Sequence, residues 1–353
     1  MTAKIQFMPS TRFFEAEGEE TILDAALRAG VNVRYHCNTG SCGDCKARII
    51  SGLIGEKLPH DFVFSTKEKA EQFVLLCRCK ARTAVDLVIE TQEDHQASDI
   101  PMQSILTRVN GLQKLTNDVM VLNLRTPRSQ TLRFLAGQHA KVTIGNLTPR
   151  HKSVASCPCN GMALHLHIRH VPGDEFSEYV FTKLKNQDRV EIEGPYGSFT
   201  LDEASSRPII FLAYETGFSP IKSIIEHAIA LDLTQAMSLY WIARSKEDLY
   251  LYNLCRTWVD ALDAFEFHPV ICDEEFVQQS LAKEVEQEEL GGMDRQEKAL
   301  LIAATKIVQD HPDLSAFDIY INGSQSLLAP TLALFQKHQC QSDRVFVDYL
   351  EKL

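Results

Sequence analysis

Four of the ten cysteines are spaced as ligands of an iron–sulfur cluster. Residues 37–45 read C-N-T-G-S-C-G-D-C, so Cys37, Cys42 and Cys45 stand at C-x4-C-x2-C spacing, and Cys77 follows after a gap of 31 residues. This is the plant-type [2Fe–2S] pattern, in which three thiolates converge from one short loop. The sequence therefore predicts a one-electron carrier with these four cysteines as metal ligands.

The residues between the cysteines agree with this chemistry. Gly40 and Gly43 predict tight turns, which let loop amides point at sulfur and tune its potential. Zinc is the competing metal, but it usually takes paired C-x2-C hooks, which this spacing does not supply. Cys79, two residues after Cys77, is expected to be a buried thiol, and an exchange of ligand between these two cysteines stays open.

The elements around this loop predict a β-grasp ferredoxin domain at residues 1–97. Residues 4–9 and 12–17 have the composition of two paired strands. Residues 20–29 have the apolar spacing of an amphipathic helix, which Gly30 closes. We expect this framework to hold the cysteine loop at one end of a small sheet.

Two further domains are predicted, so the expected fold class is multidomain α+β and α/β. Residues 98–204 contain short alternating segments divided by Gly and Pro, which predict an antiparallel β-barrel with strands near 119–124, 141–144, 164–168 and 189–193. Residues 205–353 begin with a continuous apolar strand, a Thr-Gly turn, a helix and a second strand, at 209–213, 220–230 and 238–242. That order predicts an α/β domain of the nucleotide-binding type.

Composition narrows the function further. The chain has 353 residues and a net charge of −11, which argues against a nucleic-acid partner. No apolar run reaches the roughly 20 residues of a membrane span, and the first residues lack the apolar core of a signal peptide, so we expect a cytoplasmic protein. Residues 273–310 hold ten acidic and four basic residues, which predicts a solvated acidic face or a docking surface for a basic partner.

The order ferredoxin, barrel and α/β domain resembles the three-domain oxygenase reductases of the ferredoxin–NADP reductase superfamily. The chain is similar to the reductase components of methane, phenol and benzoate oxygenases and to deoxysugar reductases. Fold landmarks support the resemblance along the chain, namely Gly137-Gln138, the GPYGSF run at 194–199, LYW at 239–241 and DIYING at 318–323. It implies that NAD(P)H reduces FAD, and that single electrons then pass through the cluster to a redox partner such as an oxygenase component.

The resemblance also implies an FAD site in the barrel domain. The R-x-Y-S flavin motif of the family is similar to Arg150-His151-Lys152-Ser153, so Arg150 is expected at the pyrophosphate and Ser153 near flavin N5 as the catalytic residue. Lys152 stands where the family has an aromatic ring. The pyrophosphate loop of the family matches residues 173–177, in which Gly173 and Ser177 remain but Asp174 and Glu175 are acidic.

The implied nucleotide site is altered in a similar way. The A-G-G-T-G-x-x-P loop of the family matches residues 213–220, which keep Thr216, Gly217 and Pro220 but carry Tyr214 and Glu215 in place of two glycines. Asn322 and Gly323 stand where the family has Cys-Gly beside the nicotinamide. Arg244 and Lys246 are candidates for a 2′-phosphate, which leaves the choice between NADH and NADPH open.

Two functions follow from these motifs. The leading interpretation is an NAD(P)H-dependent reductase with FAD and a [2Fe–2S] cluster. The alternative is a non-catalytic electron-carrier or scaffold subunit that has lost FAD or nucleotide binding, and it is favoured by the altered positions Lys152, Asp174, Glu175, Tyr214 and Glu215. Two features fit neither motif: the C-x-C pair Cys157 and Cys159, either a redox pair or ordinary thiols, and the histidines at 165, 167 and 170, either metal ligands or flavin-pocket or surface residues.

Overall fold

The first sheet confirms the predicted β-grasp arrangement. The computed structural model describes residues 3–9, 12–31, 33–35, 38–40, 42–82, 86–91, 100–272, 295–323 and 325–348. Five strands form a mixed sheet in the order β2-β1-β7-β3-β5, in which only β1 and β7 are parallel. A separate pair, β4 and β6, lies beside it. The strands are β1 (Ala3–Met8), β2 (Phe13–Ala16), β3 (Lys46–Ser51), β4 (Ile54–Lys57), β5 (Phe73–Leu75), β6 (Cys79–Ala81) and β7 (Leu87–Glu90).

The helix predicted at residues 20–29 is present as α1 (Ile22–Arg28). Thr21 caps it, because its hydroxyl accepts a hydrogen bond from the backbone N–H of Asp24 at 3.1 Å. Gly30 follows the last turn with φ +69°, as a residue that ends a helix requires. A second short helix, α2 (Thr66–Ala70), lies on the surface and carries a capping box from Ser65 and Glu68.

The barrel predicted in the middle of the chain is also present. Six antiparallel strands lie in the order β11-β10-β13-β8-β9-β12, and a bridge between Val154 and Leu166 brings the two ends together. A short helix, α3 (Glu175–Thr182), follows β12. The strands are β8 (Gln103–Lys114), β9 (Val119–Arg125), β10 (His139–Thr143), β11 (Arg150–Ser153), β12 (Ala163–Arg169) and β13 (Arg189–Tyr196). This near-closure leaves an apolar core inside the barrel.

The last sheet is wholly parallel, as the predicted α/β unit requires. Its order is β16-β15-β14-β17-β18, so β14 lies where the strand order reverses. All six residues of β14 are buried because helices cover both faces. The elements are β14 (Ile209–Tyr214), α4 (Phe218–Ala230), β15 (Met237–Ala243), α5 (Tyr252–Ala261), β16 (Phe265–Ile271), α6 (Arg295–Asp310), β17 (Asp318–Asn322), α7 (Gln325–Lys337) and β18 (Val345–Asp348).

Each large sheet draws its strands from one of the three predicted segments, whose boundaries after residues 97 and 204 remain predictions. The acidic stretch at 273–294 lies outside the described residues. Among the described helices, none has the length and apolar character needed to cross a membrane.

Candidate cofactor sites

Three of the four predicted cluster ligands are described, and all three are buried in the ferredoxin domain. Cys42, Cys45 and Cys77 are 5, 2 and 1% exposed, and the sulfurs of Cys45 and Cys77 are 3.3 Å apart. The backbone N–H of Asp44 donates a hydrogen bond to the Cys42 sulfur at 3.4 Å. Cys37 lies outside the described residues. Burial, convergent sulfurs and an amide donor fit a [2Fe–2S] cluster.

The two loop glycines are needed both for their backbone conformation and because a Cβ atom at either position would be too close to a side chain. Both have positive φ, +80° at Gly40 and +81° at Gly43, so both make the tight turns predicted from the sequence. A Cβ atom at Gly43 would also overlap the ring of Phe62. Cys79 is 3% exposed, and burial raises its pKa to about 11, which keeps it a neutral thiol.

The ferredoxin domain docks on the barrel at the end of β13. The hydroxyl of Tyr35 accepts a hydrogen bond from the backbone N–H of Gly197 at 3.1 Å, and its carbonyl accepts one from the Ser198 hydroxyl at 3.0 Å. Tyr196 packs into the ferredoxin core. This contact places the cysteine-bearing domain directly against the barrel that carries the predicted flavin strand.

Two histidines connect this contact with the predicted flavin strand: His151, which the flavin motif contains without a role, and His139, which lies outside the motifs. His139 stacks on Tyr196 with ring centroids 5.8 Å apart, and His151 meets the same ring edge-on at 5.0 Å. Burial lowers the pKa of His151 well below its usual value, and the positive charges of Lys141, Lys152 and Arg78 add to the effect of its neighbour His139. His151 is therefore a neutral imidazole between β11 and the ferredoxin domain.

The predicted pyrophosphate ligand Arg150 is bound to an acid of its own chain. Its guanidinium donates to Asp174 at 2.6 Å, and the side chains are 22 and 8% exposed. Asp174 also caps α3, accepting from the Ser177 N–H at 2.9 Å. Burial alone would raise the pKa of Asp174, but the hydrogen bonds from Ser177 and Arg150 outweigh it and lower that pKa below its usual value.

One more amide near this helix start, that of Gly173, is also bonded. Gly173, at φ +84°, donates its N–H to Glu178 at 2.9 Å, and the Ser177 hydroxyl bonds to the backbone of Val171. Glu175 is exposed. A cation and helix N-terminal amides are the donors that fit a pyrophosphate, and the Nε atom of Arg150 is buried without a partner among the described residues. The donor set therefore fits FAD, with Asp174 occupying part of it.

The end of β11 lies where the barrel meets the α/β domain. Ser153 approaches Asp348 at the end of β18, with 3.5 Å between their side-chain oxygens, and its carbonyl accepts from the Ser219 hydroxyl at 3.2 Å. Lys152 precedes it, paired across the sheet with Ala140. Ser153 thus stands at the junction of the two domains.

A carboxylate also fills part of the predicted nucleotide loop. Glu215 has φ +50° and is 7% exposed, and its carboxylate forms ion pairs with Arg169 and, at 3.1 Å, with the Nε of Arg244. Asp118 completes the network, at 3.3 Å from Arg169 and 2.9 Å from Arg244. Arg244, a candidate for a 2′-phosphate, and the neighbouring Arg169 are therefore both held by carboxylates in this structure.

The predicted nicotinamide end of the site contains an unpaired amide donor among the described residues. Asn322 is fully buried at the end of β17, where its Oδ1 accepts from the Tyr214 N–H at 3.0 Å. Its Nδ2 is buried and has no partner among the described residues, so the amide keeps an unused hydrogen-bond donor. Gly217 lies so close that a Cβ there would overlap this amide. The neighbouring Gly323 donates to the Asp348 carbonyl at 3.0 Å.

These residues meet at the carboxyl ends of β14 and β17, next to the reversal of strand order. Ligands of open α/β sheets bind at this position. Thr216 and Gly217 lie in the turn after β14, and Pro220 is buried in the first turn of α4. Residues 213–220 and 322–323, which are about a hundred positions apart in sequence, therefore lie together at one edge of the sheet.

The comparisons with known proteins fit this geometry. Residues 5–82 match the 2Fe-2S iron-sulfur cluster binding domain family, and residues 107–201 match the oxidoreductase FAD-binding domain family. Reductase component 2 of terephthalate 1,2-dioxygenase from Comamonas sp is 32% identical over 273 residues, covering 77% of this chain and 80% of the relative.

Two further comparisons extend over almost the whole chain. The CDP-6-deoxy-L-threo-D-glycero-4-hexulose-3-dehydrase reductase of Yersinia pestis is 29% identical over 349 residues, covering 99% of this chain and 98% of the relative. The crystal structure of the Amycolatopsis cytochrome P450 reductase GcoB superposes with a TM-score of 0.81 at 24% identity, covering 99 and 98% of the two chains. All three regions of the chain therefore share one fold with it.

Proposed function

The chain belongs to the reductase family that joins a [2Fe–2S] ferredoxin domain to an FAD-binding oxidoreductase domain, and from this premise we propose the residues that bind its cofactors and its partner. It is an NAD(P)H-dependent electron-transfer oxidoreductase. The match to an FAD-binding domain at 107–201 favours this activity over a carrier subunit that has lost the flavin. The observation that carries the electron path is the docking of Tyr35 on Gly197 and Ser198, which joins the cluster domain to the flavin barrel.

We assign the cofactor ligands as follows. The cluster is bound by Cys37, Cys42, Cys45 and Cys77. The FAD pyrophosphate is bound by Arg150, Gly173 and Ser177, and the flavin ring by Lys152 and Ser153. The nicotinamide nucleotide is bound by Thr216, Gly217, Pro220, Asn322 and Gly323. When bound, FAD accepts the two electrons of a hydride and delivers them one at a time.

The side chains at the domain junction have distinct tasks. The Ser153 hydroxyl, 3.5 Å from the Asp348 carboxylate, is placed to hold a hydrogen bond to the flavin ring at its reacting edge. Lys152 brings a positive charge to the same strand, which favours the more negative, reduced ring. The buried Asn322 amide donates to the nicotinamide carboxamide and so fixes the orientation of that ring.

We propose an oxygenase component as the electron acceptor, because a relative that is 32% identical over 77% of this chain is the reductase component of a dioxygenase. A sugar dehydrase is the second candidate, supported by the match over 99% of the chain to a dehydrase reductase. A cytoplasmic location is proposed with either partner. No disulfide joins any of the nine described cysteines, which suits a reducing compartment.

The first test is an anaerobic spectrum of the purified protein with its iron and flavin content, followed by titration with NADH and then NADPH. Two irons and one FAD per chain, bleached by one nucleotide, are expected. Cys45→Ser should lose reduction of one-electron acceptors such as cytochrome c while it keeps NAD(P)H oxidation by ferricyanide, which takes electrons from flavin. Protein with iron but no flavin and no bleaching would leave only the carrier subunit. Reoxidation of the reduced cluster by an oxygenase component or by a dehydrase identifies the partner.

A further inference from the structure

A cluster of metal-binding side chains lies away from both cofactor sites. The sulfurs of Cys157 and Cys159 are 3.7 and 3.5 Å from the Nδ1 atom of His227, and all three atoms lie within 4.8 Å of one another. The two cysteines flank Pro158 in a short turn after β11, whereas His227 lies on α4. The barrel and the α/β domain thus each contribute to one donor set.

The histidine is oriented for metal binding. Its other ring nitrogen, Nε2, is 3.0 Å from the carboxylate of Glu203. A carboxylate that accepts from the far nitrogen of a histidine fixes the ring and its tautomer, and metal-binding histidines almost always have such a partner. With the proton held at Nε2, the lone pair of Nδ1 faces the two sulfurs.

The distances agree with a common metal. In a tetrahedral zinc site, the zinc–sulfur bond is about 2.3 Å and the zinc–nitrogen bond about 2.0 to 2.1 Å. The sulfur and nitrogen ligands are then about 3.6 Å from each other. The observed separations of 3.5 and 3.7 Å lie on either side of that value. The backbone N–H of Cys159 also donates to the Cys157 sulfur at 3.3 Å, an interaction that a metal-bound sulfur can keep.

We propose that Cys157, Cys159 and His227 bind a Zn²⁺ ion, with water as the fourth ligand. Cys159 is exposed, so the ion can enter from solvent. None of the four predicted cluster ligands belongs to this set, and the proposal does not rest on the proposed electron transfer. The chemistry of two thiolates and one imidazole favours zinc over harder ions such as Mg²⁺.

The position indicates what the ion does. Successive side chains of α4 bond to carbonyls of the chain between β11 and the C-x-C turn: Ser219 to Ser153, Lys222 to Ala155 and Ser223 to Ser156. His227 is the next residue along the same helix face. The zinc ion therefore adds one more link between α4 and the segment that follows β11, and these contacts hold the flavin strand against the α/β domain.

The test is equilibrium dialysis of the purified holoprotein against Zn²⁺, with zinc and iron measured on the same samples. One zinc per chain at unchanged iron is expected for the wild type. His227→Gln and Cys159→Ser should weaken binding at least 100-fold, and Glu203→Gln by about 10- to 100-fold because the ring loses its anchor. His268→Gln is the matched control. His268 also contacts a carboxylate, that of Glu266 at 3.1 Å, but it does not belong to the metal-type cluster found among the described residues. It should bind zinc as the wild type does.

A second measurement covers variants that fold poorly. Zinc should raise the thermal midpoint of the wild type and of His268→Gln, but not that of His227→Gln. Zinc that binds equally to His227→Gln and the wild type would overturn the proposal. Wild type that takes up no zinc, or whose Cys157 and Cys159 are found by mass spectrometry in a disulfide under reducing conditions, would overturn it as well.

Discussion

Removing the charge of Asp174 should strengthen FAD binding. The Asp174 carboxylate bonds to Arg150 at 2.6 Å, so it competes with a flavin phosphate for the same guanidinium. Asp174→Asn removes this charge and keeps the α3 cap, because asparagine and aspartate cap helices about equally well. The variant therefore isolates the electrostatic contribution from the stability of the helix.

The size of the effect follows from Coulomb's law. Two anions bound to one guanidinium lie on the order of 6 Å apart, where their repulsion is about 0.7 kcal/mol in a water-like medium and about 2.8 kcal/mol at an effective dielectric constant of 20. The expected fall in the FAD dissociation constant is therefore about 3- to 100-fold. The 8% exposure of the Asp174 side chain favours the upper part of this range.

Titration of flavin-free protein with FAD, at intact iron content, measures the change. Glu175→Gln is the matched control: it removes the same charge one residue away, but Glu175 is exposed, so its effect should be about 3-fold or less. Asp174→Asn with unchanged or weaker FAD binding and an unchanged thermal midpoint would refute the competition. An equal gain in Glu175→Gln would show that net charge alone is responsible.

Three further outcomes are expected. Glu215→Gly should lower the KM for the nicotinamide nucleotide about 10-fold in steady-state assays, since it frees Arg169 and Arg244 and since glycine accepts φ +50°; an unchanged KM would exclude Glu215 as a competitor. Gly43→Ala should lower the iron content and thermal midpoint because its Cβ overlaps Phe62, whereas Gly18→Ala, with open space around it, should retain the iron. Burial lowers the pKa of His167 to about 3, whereas the same group in the unfolded chain titrates near 6.5. As the pH falls below about 6.5, the unfolded chain therefore binds a proton that the folded chain does not. The free energy of unfolding should drop by about 2 kcal/mol from pH 7 to 5. Urea titration of wild type and His167→Gln checks this, and an equal drop in both would contradict it.

Local features of the sequence determined much of the fold. The strands, the helix closed by Gly30 and the glycine turns at 40 and 43 depend on neighbouring residues, because turn chemistry and hydrophobic periodicity act over a few positions. Residue patterns also predicted the order of the three domains, and resemblance over the whole chain then identified the motifs at 150–153 and 213–220.

The tertiary structure decided which charges and thiols meet. The sequence shows acidic residues at 174 and 215, but their pairing with Arg150 and with Arg169 and Arg244 joins segments 24 to 46 residues apart. His227 lies 70 residues after Cys157, and no spacing rule connects a C-x-C turn with a histidine on a helix of another domain. Such contacts depend on how whole domains dock. The charged or metal-binding atoms must come within a few ångströms of one another, and local sequence propensity does not determine that distance.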